Sequence, residues 1–126
     1  MIEVLKKYSN VVVLCHDEVD KFNNLEQDFG NRCFNFGLGA QNLVSAAAGF
    51  VVRGKMPIVV LPVFALSEVY GQLLEDICRP NLNVKFMVVG GDEAGVELLK
   101  ILPNMESAKA LEDLVKSYGP AYLILA

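Results

Sequence analysis

A chain of 126 residues has the length of one domain and is long enough to bury a core of its own. Hydrophobic residues make up 53% and mean hydropathy is +0.38, yet no apolar run nears the roughly 20 residues that span a bilayer. A net charge of −4 excludes the basic face that nucleic-acid binding requires.

The first ten residues, MIEVLKKYSN, are too short and too charged for a signal peptide, so a cytoplasmic location is expected. Cys15, Cys33 and Cys78 are odd in number, widely spaced and set among apolar residues. Buried free thiols in a reducing compartment are the expectation. A zinc site is not expected, because there is one histidine and no Cys-x-x-Cys pair. The apolar excess implies surface hidden in a homo-dimer or larger oligomer.

Residues 2 to 8 carry apolar and charged positions at helical spacing, and Ser9-Asn10 stops that lead-in helix. Val11 to Cys15 is a β-branched apolar run of the kind found in a parallel strand buried on both faces. The polar stretch His16 to Asp20 lies at that strand's carboxyl end, where open α/β sheets place ligands. His16 beside Asp17, Glu18 and Asp20 lacks metal-ligand spacing, because neighbouring residues point apart, and a solvated loop is the expectation. Pairing Cys15 with His16 as nucleophile and base fails on the same geometry. Phe22 to Phe29 reads as a loose helix closed by Gly30-Asn31.

The stretch Arg32 to Pro57 organises the rest. Cys33 to Phe36 is a short strand, Gly37-Leu38-Gly39 a glycine turn, and a helix of small residues follows until Gly54. Pro57 opens a second strand, Ile58 to Leu61, which Pro62 ends. Leu66 to Cys78 is amphipathic, with Leu66, Val69, Tyr70, Leu73, Leu74 and Ile77 on one face. Val84 to Val89 is a third buried strand, broken by Gly90-Gly91. Asp92 is expected to cap a helix reaching Ile101, with Pro103 beyond it. Ser107 is expected to cap a helix from Ala108 to Ser117, and Tyr122 to Leu125 is the last strand. The alternation predicts one α/β domain over residues 1–126, doubly wound, with a mainly parallel sheet and helices on both faces.

The central stretch resembles the pyrimidine-binding domain of the transketolase and deoxyxylulose phosphate synthase family. Arg32, Asn35, Gly37, Gln41, Asn42, Ala47, Ala48, Gly49, Gly54 and Pro57 match its pattern. Further matches are Phe64, Tyr70, Gln72, Asp76, the run Leu102-Pro103-Asn104-Met105 and the closing Gly119 to Leu123. The similarity therefore covers most of Val11 to Leu125. It implies a thiamine diphosphate-binding fold of the pyrimidine-domain type, in which this domain grips the cofactor's aminopyrimidine ring. A second domain, usually on another subunit, holds the diphosphate and Mg²⁺. The resemblance points to Phe64, Gly37, Gly39 and Gln41 as cofactor-binding residues. It points to Gln41, Asn42, Tyr70 and Gln72 as a subunit contact.

Each of these has an ordinary alternative: core packing for Phe64, which weighs heavier than stacking, tight turns for the glycines, and helix capping for Gln41 and Asn42. The departures from the family matter more. Where it carries a glutamate that bonds a ring nitrogen, this chain has Ala40. The family's histidine-bearing loop after the third strand is expected to be deleted, since Gly90 to Val96 runs directly into Leu98 to Leu102. The chain is also expected to stand without the diphosphate-binding and carboxyl-terminal domains. Two functions follow. One is a stand-alone, catalytically inactive pyrimidine domain that oligomerises or serves as a non-catalytic subunit. The other is one subunit of a split thiamine diphosphate-dependent ketol transferase, completed by a separate diphosphate-binding chain. A heterocycle-binding module that kept the pocket and lost the chemistry is a third. No catalytic residue and no metal ligand is assigned, and thiamine diphosphate is expected only with a partner.

Overall fold

The structure, a computed structural model, describes residues 1–16, 29–90 and 93–125. The expected helix over Phe22 to Phe29, the acids Asp17, Glu18 and Asp20, and the cap at Asp92 lie outside the described residues, apart from Phe29 itself. The elements are α1 (Ile2–Lys7), β1 (Val11–Cys15), β2 (Cys33–Asn35), α2 (Ala40–Val52) and β3 (Met56–Pro62). They continue with α3 (Leu66–Gln72), β4 (Lys85–Val89), α4 (Glu93–Lys100), β5 (Glu106–Ser107), α5 (Leu111–Lys116) and β6 (Ala121–Leu125).

Six strands form one parallel sheet in the order β2-β1-β3-β4-β6-β5. Every residue of β1 and β3 is buried, as the unbroken apolar runs require of strands covered on both faces. Strand β3 is longer than expected: Met56 and Pro57 pair with Val11 and Val12 at one end, and Pro62 pairs with Val89 at the other. Side chains alternate between two cores. Val12, Leu14, Val59, Leu61, Phe86 and Val88 meet α2, α3 and α4 on one side. Val11, Val13, Ile58, Val60, Met87 and Leu123 meet α1 and α5 on the other. Each such fully buried side chain contributes about 1.5–3 kcal/mol.

Helix α3 is one segment of a longer helical run, entered through a 3-10 turn at Val63–Ala65 and continued by a π-helical turn at Leu73–Cys78. The π turn is visible in the bond from Arg79 N–H to the Leu74 carbonyl at 3.0 Å, five residues back. It keeps Leu73, Ile77 and Cys78 all in the core. Ser67, expected as an early cap, instead donates its hydroxyl to the Phe64 carbonyl.

The carboxyl-terminal part departs most from expectation. Ser107 caps no helix: it pairs with Tyr122 in the short edge strand β5, and α5 begins only at Leu111. The cause is the open edge of β6, whose backbone groups find partners in Glu106 and Ser107.

Gly95 brings α4 against the turn that follows β3. A Cβ there would stand 2.5 Å from Val63 Cγ2 and 3.1 Å from the Val63 carbonyl oxygen. Gly95→Ala is therefore expected to cost about 1–3 kcal/mol through overpacking, read as a lowered melting temperature. Because Val63 precedes Phe64, the same change should shift the Phe64 ring signals in NMR spectra.

Candidate functional site

In this strand order the sheet reverses direction of growth between β1 and β3, and the crevice outside their carboxyl ends is where such folds take ligands. His16 and Phe64 stand there. His16 follows β1 directly and donates its backbone N–H to the Val60 carbonyl at 2.9 Å. Its side chain is 3% exposed, so the expected solvated loop does not begin at this residue. Phe64 meets it edge-on, with ring centroids 6.2 Å apart and planes at 89°. Core packing was the weightier expectation for Phe64, and it is overturned: the side chain is 56% exposed. The reason is local. Pro62 ends β3 and the chain turns at once into the 3-10 turn, burying Val63 and Ala65 and turning the residue between them outward.

The glycine turn borders the same end of the sheet. Gly37 has φ +62 and donates its N–H to Asn35 Oδ1 at 2.7 Å, which accounts for both residues of the pattern without a ligand. Gly39 is different. Its φ is −83, and an added Cβ would meet Asn42 and the Phe36 carbonyl at ordinary contact distances. Its backbone does not require glycine.

Ala40 is the first residue of α2 and is 2% exposed. With Leu38, Gly39, Gln41 and Asn42 it lines a cleft of about 470 Å³, closed on the far side by Glu68 in the first turn of α3. Neither Gln41 nor Asn42 caps α2, which has no side-chain cap, and both side chains are exposed. Gln72 is a tie within the chain. Its Nε2 donates to the Gln41 carbonyl at 3.1 Å and to Ser45 Oγ at 3.0 Å, binding α3 to α2. Its Oε1 is buried with no hydrogen-bond partner among the described residues. Tyr70 is half-buried against the core on the α2 side. Thus the structure gathers Gly39, Ala40 and Gln41 at one cleft, sets Phe64 at the crevice, and places Gln72 and Tyr70 between or beneath helices.

All three cysteines are buried and free, and burial pushes the Cys78 thiol up to about 11, where it is inert. No group of three metal-ligating side chains occurs among the described residues. No helix among them is long and apolar enough to cross a membrane.

Two charged residues were not read correctly from sequence. Arg32, noted only as part of the family pattern, donates to three backbone carbonyls: Val11 at 3.0 Å, Leu5 at 2.7 Å and Tyr8 at 2.6 Å. Lys85 was counted as part of an apolar strand. It is wholly buried, and its Nζ donates to the Ser117 carbonyl at 2.7 Å, Ser117 Oγ at 3.0 Å and the Gly119 carbonyl at 2.6 Å. Burial lowers its pKa to about 8, with Glu106 opposing the shift. The signal was present: a lysine inside a strand apolar on both sides must find acceptors at the strand's end.

No protein-family model matches the chain. Among curated proteins it is similar to the 1-deoxy-D-xylulose-5-phosphate synthase of Lysinibacillus sphaericus, 38% identical over 76 residues, or 60% of this chain and 12% of that protein. It is similar to the synthase of the same name from Halalkalibacterium halodurans, 31% identical over 97 residues, or 68% of this chain and 15% of that protein. The chain thus spans about an eighth of the length of these relatives. Among solved structures it superposes on a split-gene transketolase, inactive beta4 tetramer, with a TM-score of 0.83 and 29% identity. That match covers 98% of this chain and 47% of the other. A structure assigned as a thiamin diphosphate-dependent enzyme isolated from Mycobacterium smegmatis shares the fold, with a TM-score of 0.65 at 15% identity over 98% of this chain and 30% of that one.

Proposed function

We propose that this domain, transketolase-like in sequence and fold, is the aminopyrimidine side of a composite thiamine diphosphate site completed by a diphosphate-binding domain. The observation that carries the reading is Phe64, a large aromatic ring held 56% exposed at the crevice between β1 and β3. Leaving such a ring in water forgoes about 1.5–3 kcal/mol, which a flat heterocycle or a covering domain would recover. The residues present fit the ring and do not fit the family's proton contact at position 40, because the Ala40 methyl neither accepts nor donates. Bound here, the cofactor would supply the carbanion chemistry. This chain's part would be to stack on the ring through Phe64 and hold its edge at the glycine turn. The likeness to a split-gene transketolase supports a site shared between chains.

The test is an NMR titration of the full chain with thiamine diphosphate, observing the Phe64 ring and the Gly37 and Gly39 amides. All three should shift, and Phe64→Ala should weaken binding about two- to tenfold, the worth of one aromatic stack. Spectra unmoved at millimolar ligand would end this reading. A second reading, a non-catalytic subunit acting through self-association, is favoured by the burial of Ala40. Under it, Ala40→Glu brings no ketol-transfer activity, and the chain remains an oligomer without cofactor.

A further inference from the structure

Glu68 occupies a position that nothing in the family pattern assigns. It lies in the first turn of α3 and closes the cleft whose other wall is Leu38 to Asn42, with Ala40 among them. Of the residues lining that cleft, it carries the one ionisable side chain. The first turn of α2 brings no acidic residue of its own. Glu68 also follows Phe64 by four positions along one helical run. Residues 64, 67, 68 and 71 are its exposed positions, so ring and carboxylate share an outward side.

We infer that Glu68 is the cofactor-facing carboxylate of this domain, reaching from α3 into the cleft that Ala40 leaves without an acceptor and taking a hydrogen bond from the edge of an aminopyrimidine. The inference rests on the reading that the crevice receives that ring. The chemistry is a single shared proton between a carboxylate and a ring nitrogen or amino group, with no bond made or broken elsewhere. A carboxylate serves as well from one helix as from another, provided it reaches the edge of a ring whose face is fixed, and Phe64 supplies that face. An exposed glutamate in a first helical turn also stabilises its helix through the macrodipole. That role would touch stability and leave ligand discrimination unmoved.

The experiment is calorimetric titration of the full chain with two probes, thiamine diphosphate and its pyridine analogue, in which carbon replaces the ring nitrogen. The wild-type chain should prefer thiamine diphosphate about tenfold, the worth of one charge-assisted hydrogen bond. Glu68→Ala should abolish the preference while leaving affinity for the analogue unchanged, and Glu68→Gln should retain at most a small part of it. A preference that survives Glu68→Ala, or its absence from the wild-type chain, overturns the inference while the crevice reading stands. Failure of the wild-type chain to bind either probe at millimolar concentration overturns both.

Discussion

Lys85→Ala is expected to destabilise the fold by about 3–5 kcal/mol, close to the whole stability of many small domains. The ammonium is wholly buried at the amino end of β4 and satisfies two backbone carbonyls and one hydroxyl in the turn before β6. Truncation leaves a cavity where the stem lay and strands the carbonyls of Ser117 and Gly119 away from water, each at a cost of about 1–3 kcal/mol. Lys85→Met separates these terms: the stem is kept, the donors are lost, and about half of the destabilisation should remain. The pH dependence gives an independent check. Folding lowers the lysine from 10.5 to about 8, so between those values the unfolded chain binds the extra proton. Stability should therefore rise with pH across that window, by up to about 1.4 kcal/mol per unit. Denaturant melts of the wild-type and Lys85→Met chains at pH 7.5 and 9.5 should show a gap that widens with pH. A constant gap would mean that the ammonium is not desolvated in the folded state.

Arg32→Ala should cost about 3 kcal/mol, and Arg32→Lys nearly as much. The guanidinium reaches the carbonyls of Leu5, Tyr8 and Val11 from the segment before β2, and its plane lies 5.8 Å from the Phe29 ring centroid. One planar fork thereby joins α1, β1 and the entry to β2. A lysine has donors enough but presents them from a point and cannot span three carbonyls. The expected signature is local as well as global. Amide exchange in α1 should rise to that of a frayed helix, while β3 and β4 stay protected. Uniform loss of protection would show that Arg32 acts on the whole sheet.

Much of this architecture was legible in the sequence, and for stated reasons. Val11 to Cys15 is found as a strand at the bounds expected, because five consecutive apolar residues admit few other buried arrangements. The helix after the glycine turn ends where Gly54, with φ +80, stops it. What failed were positions where one residue's direction decides the outcome. Phe64 and His16 exchange expected environments, the apolar ring outward and the imidazole inward, because the geometry of a strand end sets which way each points. Composition has no bearing on that direction. Lys85 was hidden in the same way, by neighbours that made its strand read as uniformly apolar. Ser107 misled because a helix cap and an edge strand both suit serine, and only the partner strand β6 decides between them. The candidate site was half legible: the resemblance located Ala40, but Glu68 lies on another element and joins it only through the packing of α3 on α2.

The all-parallel sheet bears also on how the chain reaches its native state. No strand here can zip to its neighbour through a tight hairpin, since parallel partners need a long crossover between them. Val11 must find Met56 after β2, the glycine turn and all of α2 have passed between them. Closing such loops carries an entropic cost before any pairing repays it, so folding should be slow for a chain of this size. The crevice between β1 and β3 is created by that same closure. The binding surface and the central strand pair therefore form in one kinetic event, and a variant that folds sluggishly will acquire its ligand site equally late.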